Sequence, residues 1–274
     1  MEKTSIKQLI RNCFKFPNLW GSIIPMNILG IVCVYNILSG QAINLWWMYF
    51  IVGYIGIKML GVAAGYHRLF SHKSFEVDPL VRKIILWLGI MAGQGSPIFW
   101  IGIHRGYHHR YSDKQHDAHS PKDGFWHSYI LWMFKRNSTS LWGLAPRSII
   151  DLLKDPVMLF CHKNYIKILW CSHLIKALID VNLWLYMFVL PAFATLHIFC
   201  LQTSATHYTK IGYKNYTTKD DSINIPWLFP FILGECWHNN HHGQARNPNF
   251  GGRHWWELDP TFWIIKLIRI STKQ

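Results

Sequence analysis

Residues 20–38 contain no charged side chain, and about 20 apolar residues suffice to cross the ~30 Å hydrocarbon core of a bilayer. A segment in lipid must satisfy every backbone polar group internally, which leaves helices as the economical solution. A second apolar run covers residues 45–66 and is interrupted only by Lys58. An ammonium at mid-span is costly, so Lys58 is expected to face protein or water, or to snorkel. Two further spans fit at 165–180 and 181–202, the first weakened by Lys167, His173 and Lys176. The run 84–103 is different: Gly93, Gln94, Gly95 and Pro97 at its centre free backbone groups that lipid cannot satisfy. It is read as interfacial or protein-covered, not as a span. The expected fold is therefore all-α integral membrane, with four transmembrane helices and a helical cap, in one domain over residues 1–274.

The positive-inside rule orients this arrangement. Lys3, Lys7, Arg11 and Lys15 precede the first span, while residues 39–44 and 180–182 carry no Lys or Arg. Both termini and the cap are expected on the cytoplasmic side. Charged residues make up 15% of the chain, against about 25% in soluble domains, so a disordered chain is excluded. The net charge of +14 fits anionic headgroups or an anionic substrate. Nucleic acid is not an expected partner, since the spans leave no basic stripe with a reading element. Cys13, Cys33, Cys161, Cys171, Cys200 and Cys236 show no metal or disulfide spacing and are read as reduced and structural. No cleavable signal peptide is expected.

Sixteen histidines ask for a chemical reason, and nine fall in four places. These are His67 and His72; His104, His108 and His109; His207; and His238, His241 and His242. On an α-helix the last three lie within about a 100° arc, where they are able to converge on a metal. His104 and His108 lie about 40° apart but His109 about 140° away, so it serves another metal or the helix distorts. His67 and His72, five apart, should not share an α-helical face, which implies a helix end. Nine imidazoles exceed what one ion accepts, so two metals are expected. Neutral imidazole suits iron, zinc and copper, and no Cys has zinc-site spacing. Redox-active metal beside a membrane points to O2 chemistry on an acyl chain.

Gly65 to His72 reads G-Y-H-R-L-F-S-H, and Gly234-Glu235 is followed by H-N-N-H-H ending at His242. His119-Ser120-Pro121, Gly124-Phe125-Trp126 and Trp255 to Pro260 add to the pattern. Over residues 20–270 the chain resembles the membrane fatty acyl desaturases of the stearoyl-CoA (delta-9) type, in a bacterial-like form. The resemblance implies two Fe2+ ions held by His67, His72, His104, His108, His109, His207, His238, His241 and His242. It implies O2 as co-substrate, a saturated fatty acyl chain (on coenzyme A, acyl carrier protein or a lipid ester) and insertion of a cis double bond. Electrons would come in trans from a ferredoxin or a cytochrome b5-like carrier with its reductase, at a bacterial inner membrane. The chain departs from the family at H-x-x-x-H-H, one residue longer than H-x-x-H-H. It also has Thr203 where the family places a water-holding Asn, and Ser128 to Trp132 in place of S-H-x-G-W.

Asp113 and Asp117 are candidates to accept imidazole N–H bonds, and Thr203 to hold a water. Arg105, Arg110, Lys114 and Lys122 are candidates for a substrate headgroup or for anionic lipid. Trp46, Trp47, Trp255 and Trp256 read as interfacial belts or tunnel walls. His116, His119, His127, His162, His173, His197 and His254 read as supporting or surface groups. Two other functions compete: hydroxylation by the same oxidant, and non-enzymatic metal binding or transport. Transport predicts ionisable ligands within the spans, whereas the His clusters lie beyond the span ends.

Overall fold

The structure, a computed structural model, describes residues 19–114, 117–134 and 146–270. In chain order the helices that build the site are α1 (Trp20–Leu38), α2 (Trp46–Ser71), α3 (Pro79–Met91), α4 (Pro97–Ile103), α5 (Pro156–Lys163), α6 (Tyr165–Ile179), α7 (Val181–Ala205), α8 (His238–Gly243) and α9 (Pro260–Ile268). Among the described residues strand-type pairing is confined to isolated bridges, such as Tyr213 with Asn224. Three helices, α1, α2 and α7, are long and apolar enough to cross a membrane. They contain the expected spans 20–38 and 181–202 and most of 45–66. The segment expected as a fourth span, α6, has 15 residues, a length of about 22 Å.

Glycines let these helices approach one another closely, as is usual between membrane helices. A Cβ on Gly53 of α2 would lie 1.9 Å from the Met187 carbonyl oxygen of α7, and one on Gly61 would lie 2.5 Å from the Leu88 carbonyl carbon of α3. Gly65 meets Ile85 while Gly61 meets Leu88 and Gly89, so α3 runs antiparallel to α2, back down its side.

The start of α3 is set by Asp78, whose carboxylate accepts from Leu80 N–H, and by Pro79 in the first turn. At the far end the chain reverses through Gly93 and Gly95 (φ +67° and +107°), a backbone region that favours glycine. There the Gly95 N–H donates to the Tyr165 hydroxyl at 3.1 Å. Helix α4 then returns, bringing the His104 ring to 4.5 Å from that of His67. Every residue from 89 to 104 is buried. Of the two readings of this run, the protein-covered one holds. It is a helical hairpin whose two ends, near His72 and at His104, both lie on the histidine side.

α2 ends at His67 and His72, and α7 ends just before His207. Ile23, near the start of α1, lines a cavity together with His104. Hence α1 begins, and α2 and α7 end, on one side of the molecule. Asp151 also lies there, bound to Arg105 at 2.9 Å, so α5 and α6 carry the chain to the opposite end where α7 begins. Residues 206–270 form the cap, with a small core of Ile223, Ile225, Leu228, Ile232, Trp237 and Phe250. Trp255, Trp263 and Leu267 are exposed around α9, as an interfacial belt requires. Trp47 is exposed on α2, whereas Trp46 packs partly buried on the core.

Candidate metal centre

The backbone brings the histidines together through π-helical turns. From Ile55 to Ser71 α2 is a π-helix, in which each N–H bonds to the carbonyl five residues back. The His72 N–H donates to the His67 carbonyl at 3.1 Å, and the two rings lie 5.0 Å apart. The expectation that this pair could not share a face is corrected, because it assumed α geometry. The same turn recurs at His104–His108, where the His109 N–H donates to the His104 carbonyl. The extra residue of H-x-x-x-H-H is absorbed there: its first and last imidazoles, five apart, sit over one another with centroids 4.6 Å apart. The helix distorts, and His109 joins His104 while His108 goes elsewhere.

Nine imidazoles sort into two groups whose ligand nitrogens lie within 4.8 Å of one another. One holds His67, His72, His104, His109 and His241; the other holds His108, His207, His238 and His242. The face of α8 is therefore divided, His241 to one group and His238 with His242 to the other. Sequence spacing had only allowed these three to converge on a single metal. The groups abut, with the His109 and His242 rings stacked 4.5 Å apart.

Carboxylates fix the ring orientations. Nδ1 of His67 faces Glu235 at 2.6 Å, and Nδ1 of His207 faces Asp113 at 2.9 Å. His242 faces Asp220 at 2.8 Å, and His108 faces Asp117 at 3.3 Å. An Nδ1–H given to a carboxylate leaves Nε2 as a bare lone pair, the arrangement typical of metal-ligating histidine. These Nε2 atoms point at each other. His67 and His241 are 3.0 Å apart, His72 and His104 2.8 Å, His109 and His241 2.9 Å, and His207 and His238 3.1 Å. One proton cannot serve His241 toward two neighbours at once, and Nε2 of His108 and of His242 is buried without a hydrogen-bond partner. A cation in each group resolves both conflicts, and an all-nitrogen donor set fits iron among the first-row metals. Burial, reinforced by neighbouring imidazoles, holds His72, His104, His109, His238 and His241 well below the usual pKa, and His242 at about 4. They are neutral at pH 7, as metal binding requires. His108 is the exception: burial pulls it down, but Asp117 outweighs this and raises it.

Glu235, Asp220 and Arg68 were not anticipated as site residues. Glu235 directly precedes the last cluster in sequence, but its role depends on a contact 168 residues away. All five Arg68 donors are used: Nε and Nη2 on Glu235, Nη1 and Nη2 on Asp259, and Nη1 on the Pro248 carbonyl. Burial opposes the charge on Glu235, yet His67 and Arg68 hold its carboxyl well below the usual range. The costly mid-span Lys58 proves to face protein. Its ammonium donates to the Ile232 carbonyl, and Tyr54, one turn earlier, donates to Phe231. Both bonds precede Leu233, a non-glycine residue at φ +54°, so α2 pins the strained turn that delivers Glu235 to His67.

Other expected residues are placed as follows. Thr203 is buried and its hydroxyl donates to the Cys200 carbonyl at 3.1 Å. The Arg105 guanidinium turns inward to the Ser71 and Phe70 carbonyls and to Asp151, so it is not presented to a headgroup. Arg110 and Lys114 are exposed, and Lys122 pairs with Asp221 at 2.9 Å. His119 is more than a surface group, since it packs on His108 with centroids 4.6 Å apart. His162, His173 and His197 bond to Ser96, Trp184 and Tyr129. The His127 Nε2–H donates to the Ala118 carbonyl at 3.1 Å and His254 stacks on Trp256; His116 lies outside the described residues.

A narrow apolar cavity of about 30 Å³ lies against His104 and His119. Ile23, Phe99, Trp100, Trp132, Leu196 and Phe199 form its walls. His104 belongs both to this wall and to the five-histidine group.

Against known proteins, residues 43–268 match the profile of the fatty acid desaturase family. The sn-1 stearoyl-lipid 9-desaturase of Anabaena variabilis is 35% identical over 214 residues, 77% of this chain and 76% of that protein. The delta-9 acyl-lipid desaturase 2 of Arabidopsis thaliana is 33% identical over 227 residues, covering 82% and 71%. An sn-2 palmitoyl-lipid 9-desaturase of a Nostoc strain is 34% identical, covering 77% and 73%. With histidine groups, apolar cavity, profile and relatives in agreement, this chain belongs to the fatty acid desaturase family.

Proposed function

We propose that the protein is a di-iron acyl-lipid desaturase that inserts a cis double bond at the delta-9 position of a saturated chain. The nine histidines named above are the proposed ligands. The carrying observation is that His104 lies both in the five-nitrogen group and in the wall of the apolar cavity. A chain threaded there presents its methylenes to the metal centre. The acyl-lipid carrier and the delta-9 position are supported by the names of the relatives.

When bound, the iron pair supplies the O2-derived oxidising power needed to remove hydrogen from an unactivated methylene. The protein's own residues do the rest. Glu235, Asp113, Asp117 and Asp220 hold the Nδ1 protons, so Nε2 faces inward on four of the nine rings. The aromatic walls exclude water and hold the chain extended past His104. Thr203, with hydroxyl lone pairs still able to accept, is proposed to hold a water. Arg110 and Lys114 are the exposed cations left for a lipid headgroup. Two hydrogens leave the chain and O2 becomes two waters, which takes two further electrons and two protons. An external carrier of the ferredoxin or cytochrome b5 type is proposed to deliver those electrons.

Four crossings, α1, α2, α5 with α6, and α7, are proposed, with the histidines and both chain ends on the cytoplasmic side of a bacterial inner membrane. The shared side of the α1 start and the α2 and α7 ends supports this, as does the basic charge there. The test is expression in a host without unsaturated fatty acids, with iron analysis and lipid mass spectrometry. About two irons per chain and a product lighter by two hydrogens are expected. A product heavier by one oxygen would identify a hydroxylase, and iron without any lipid product would remove the enzymatic reading.

A further inference from the structure

We infer that an acidic one-electron carrier protein docks over a polar groove at residues 244–253 that carries Arg253 in its wall and Arg246 in the same segment, behind Phe250 and His241. This rests on the desaturase reading, because that reaction must draw two electrons from outside the chain. The first observation is the distribution of charge. All five acidic side chains between residues 208 and 270 are committed to partners. Asp220 faces His242, Asp221 pairs with Lys122, Glu235 and Asp259 hold Arg68, and Glu257 accepts from Tyr213, Asn215 and Asn240. Lys214, Lys219, Arg246, Arg253 and Lys266 of the same stretch are exposed. The exposed surface of this stretch therefore carries cations in excess, which steers an oppositely charged partner and fixes its orientation.

The second observation is depth. An open groove of about 310 Å³ is walled by Tyr216, Asn240, Gln244, Asn249 and Arg253, and Phe250 closes its floor. The Phe250 ring is 4.3 Å from that of His241 and 5.4 Å from that of His67. A single aromatic ring therefore separates a docked protein from the five-histidine group. The lining is polar, whereas the exposed apolar residues Trp263 and Leu267 lie on α9. The groove suits a partner arriving from water, and α9 suits the lipid. Each carrier gives up one electron and is oxidised; two such deliveries, with two protons, complete the reduction of one O2 to two waters as the chain loses two hydrogens.

The test is the double variant Arg246→Glu with Arg253→Glu, in iron-loaded, detergent-solubilised protein. The probe is a negatively charged [2Fe–2S] ferredoxin. At least tenfold weaker ferredoxin binding is expected, with a shallower salt dependence and a matching rise in the KM for ferredoxin. Iron content and dithionite-driven turnover should stay at the unaltered level. Unchanged ferredoxin affinity with intact dithionite turnover overturns the docking surface. So does a loss confined to binding of phosphatidylglycerol vesicles, which would make the patch a lipid contact. Absence of dithionite-driven desaturation in the unaltered protein is a different result and overturns the desaturase reading itself.

Discussion

Replacing Glu235 with Gln keeps the shape of the side chain and removes its charge. Oε2 accepts from His67 at 2.6 Å, while Oε1 accepts from Arg68 Nη2 at 2.7 Å and Nε at 3.1 Å. An amide has one acceptor and one donor end. If its oxygen faces His67, its NH2 collides with two guanidinium donors; if it flips, His67 loses its acceptor. The buried set of Lys58, Arg68, Glu235 and Asp259 also goes from balanced to one net positive charge. Breaking a buried ion pair from one side costs about 3–5 kcal/mol, against total stabilities of about 5–15 kcal/mol. Losing the partner behind a ligating histidine costs about 10–100-fold in metal affinity, or roughly 1.4–2.7 kcal/mol. The assay is iron retained per chain against a graded chelator, together with the thermal melt of the metal-free protein. Glu235→Gln should fail both; Glu235→Asp, which keeps the charge but shortens the reach, should hold the melt better than the iron. If Glu235→Gln holds iron within twofold of the unaltered protein and melts with it, the carboxylate does not organise the centre.

Deleting Gly106 should turn the π turn into an ordinary α turn and leave His104 and His109 four apart on one face; metal analysis should then find both irons retained, and loss of half or more would show that the π turn itself is required. His119→Ala, outside the nine histidines of the two groups, should keep two irons per chain, whereas His241→Ala should lose metal from the five-member group. Lys58→Met leaves the Ile232 carbonyl without its donor at the strained Leu233 turn, and a loss of about 1–3 kcal/mol is expected in a denaturation midpoint. Acidifying the metal-free protein should destabilise it between pH 6.5 and about 4. Buried His119 and His242 have folded pKa values near 4 against about 6.5 unfolded, so the unfolded chain takes up protons first and stability falls through that window. A midpoint flat across it would contradict the burial of these rings.

Much of this was legible along the chain. Long uncharged runs specify membrane helices because lipid offers backbone groups no partner, and the Gly-Gln-Gly-Ser-Pro centre of residues 84–103 marked a segment unfit to face lipid. Histidine spacing pointed to nine candidate ligands for two metals, and the structure gathers those nine into two groups. What spacing could not reveal was how the nine divide. That division depends on π turns that bring i and i+5 together, and on long-range contacts that take His241 to His67 and His109 while His238 meets His207. The carboxylates were hidden for a related reason. Glu235 and Asp113 acquire meaning only when the fold brings them to His67 and His207, 168 and 94 residues away. Arg105, basic and beside a histidine, looked like a headgroup ligand, yet packing ties its guanidinium to the Ser71 and Phe70 carbonyls and to Asp151 at the surface. Sequence determined which histidines are candidates to carry the chemistry, since that is a matter of residue type and of what lipid permits. Tertiary structure decided which nitrogen meets which, because helix pitch and long-range contact set distances that order along a chain does not contain.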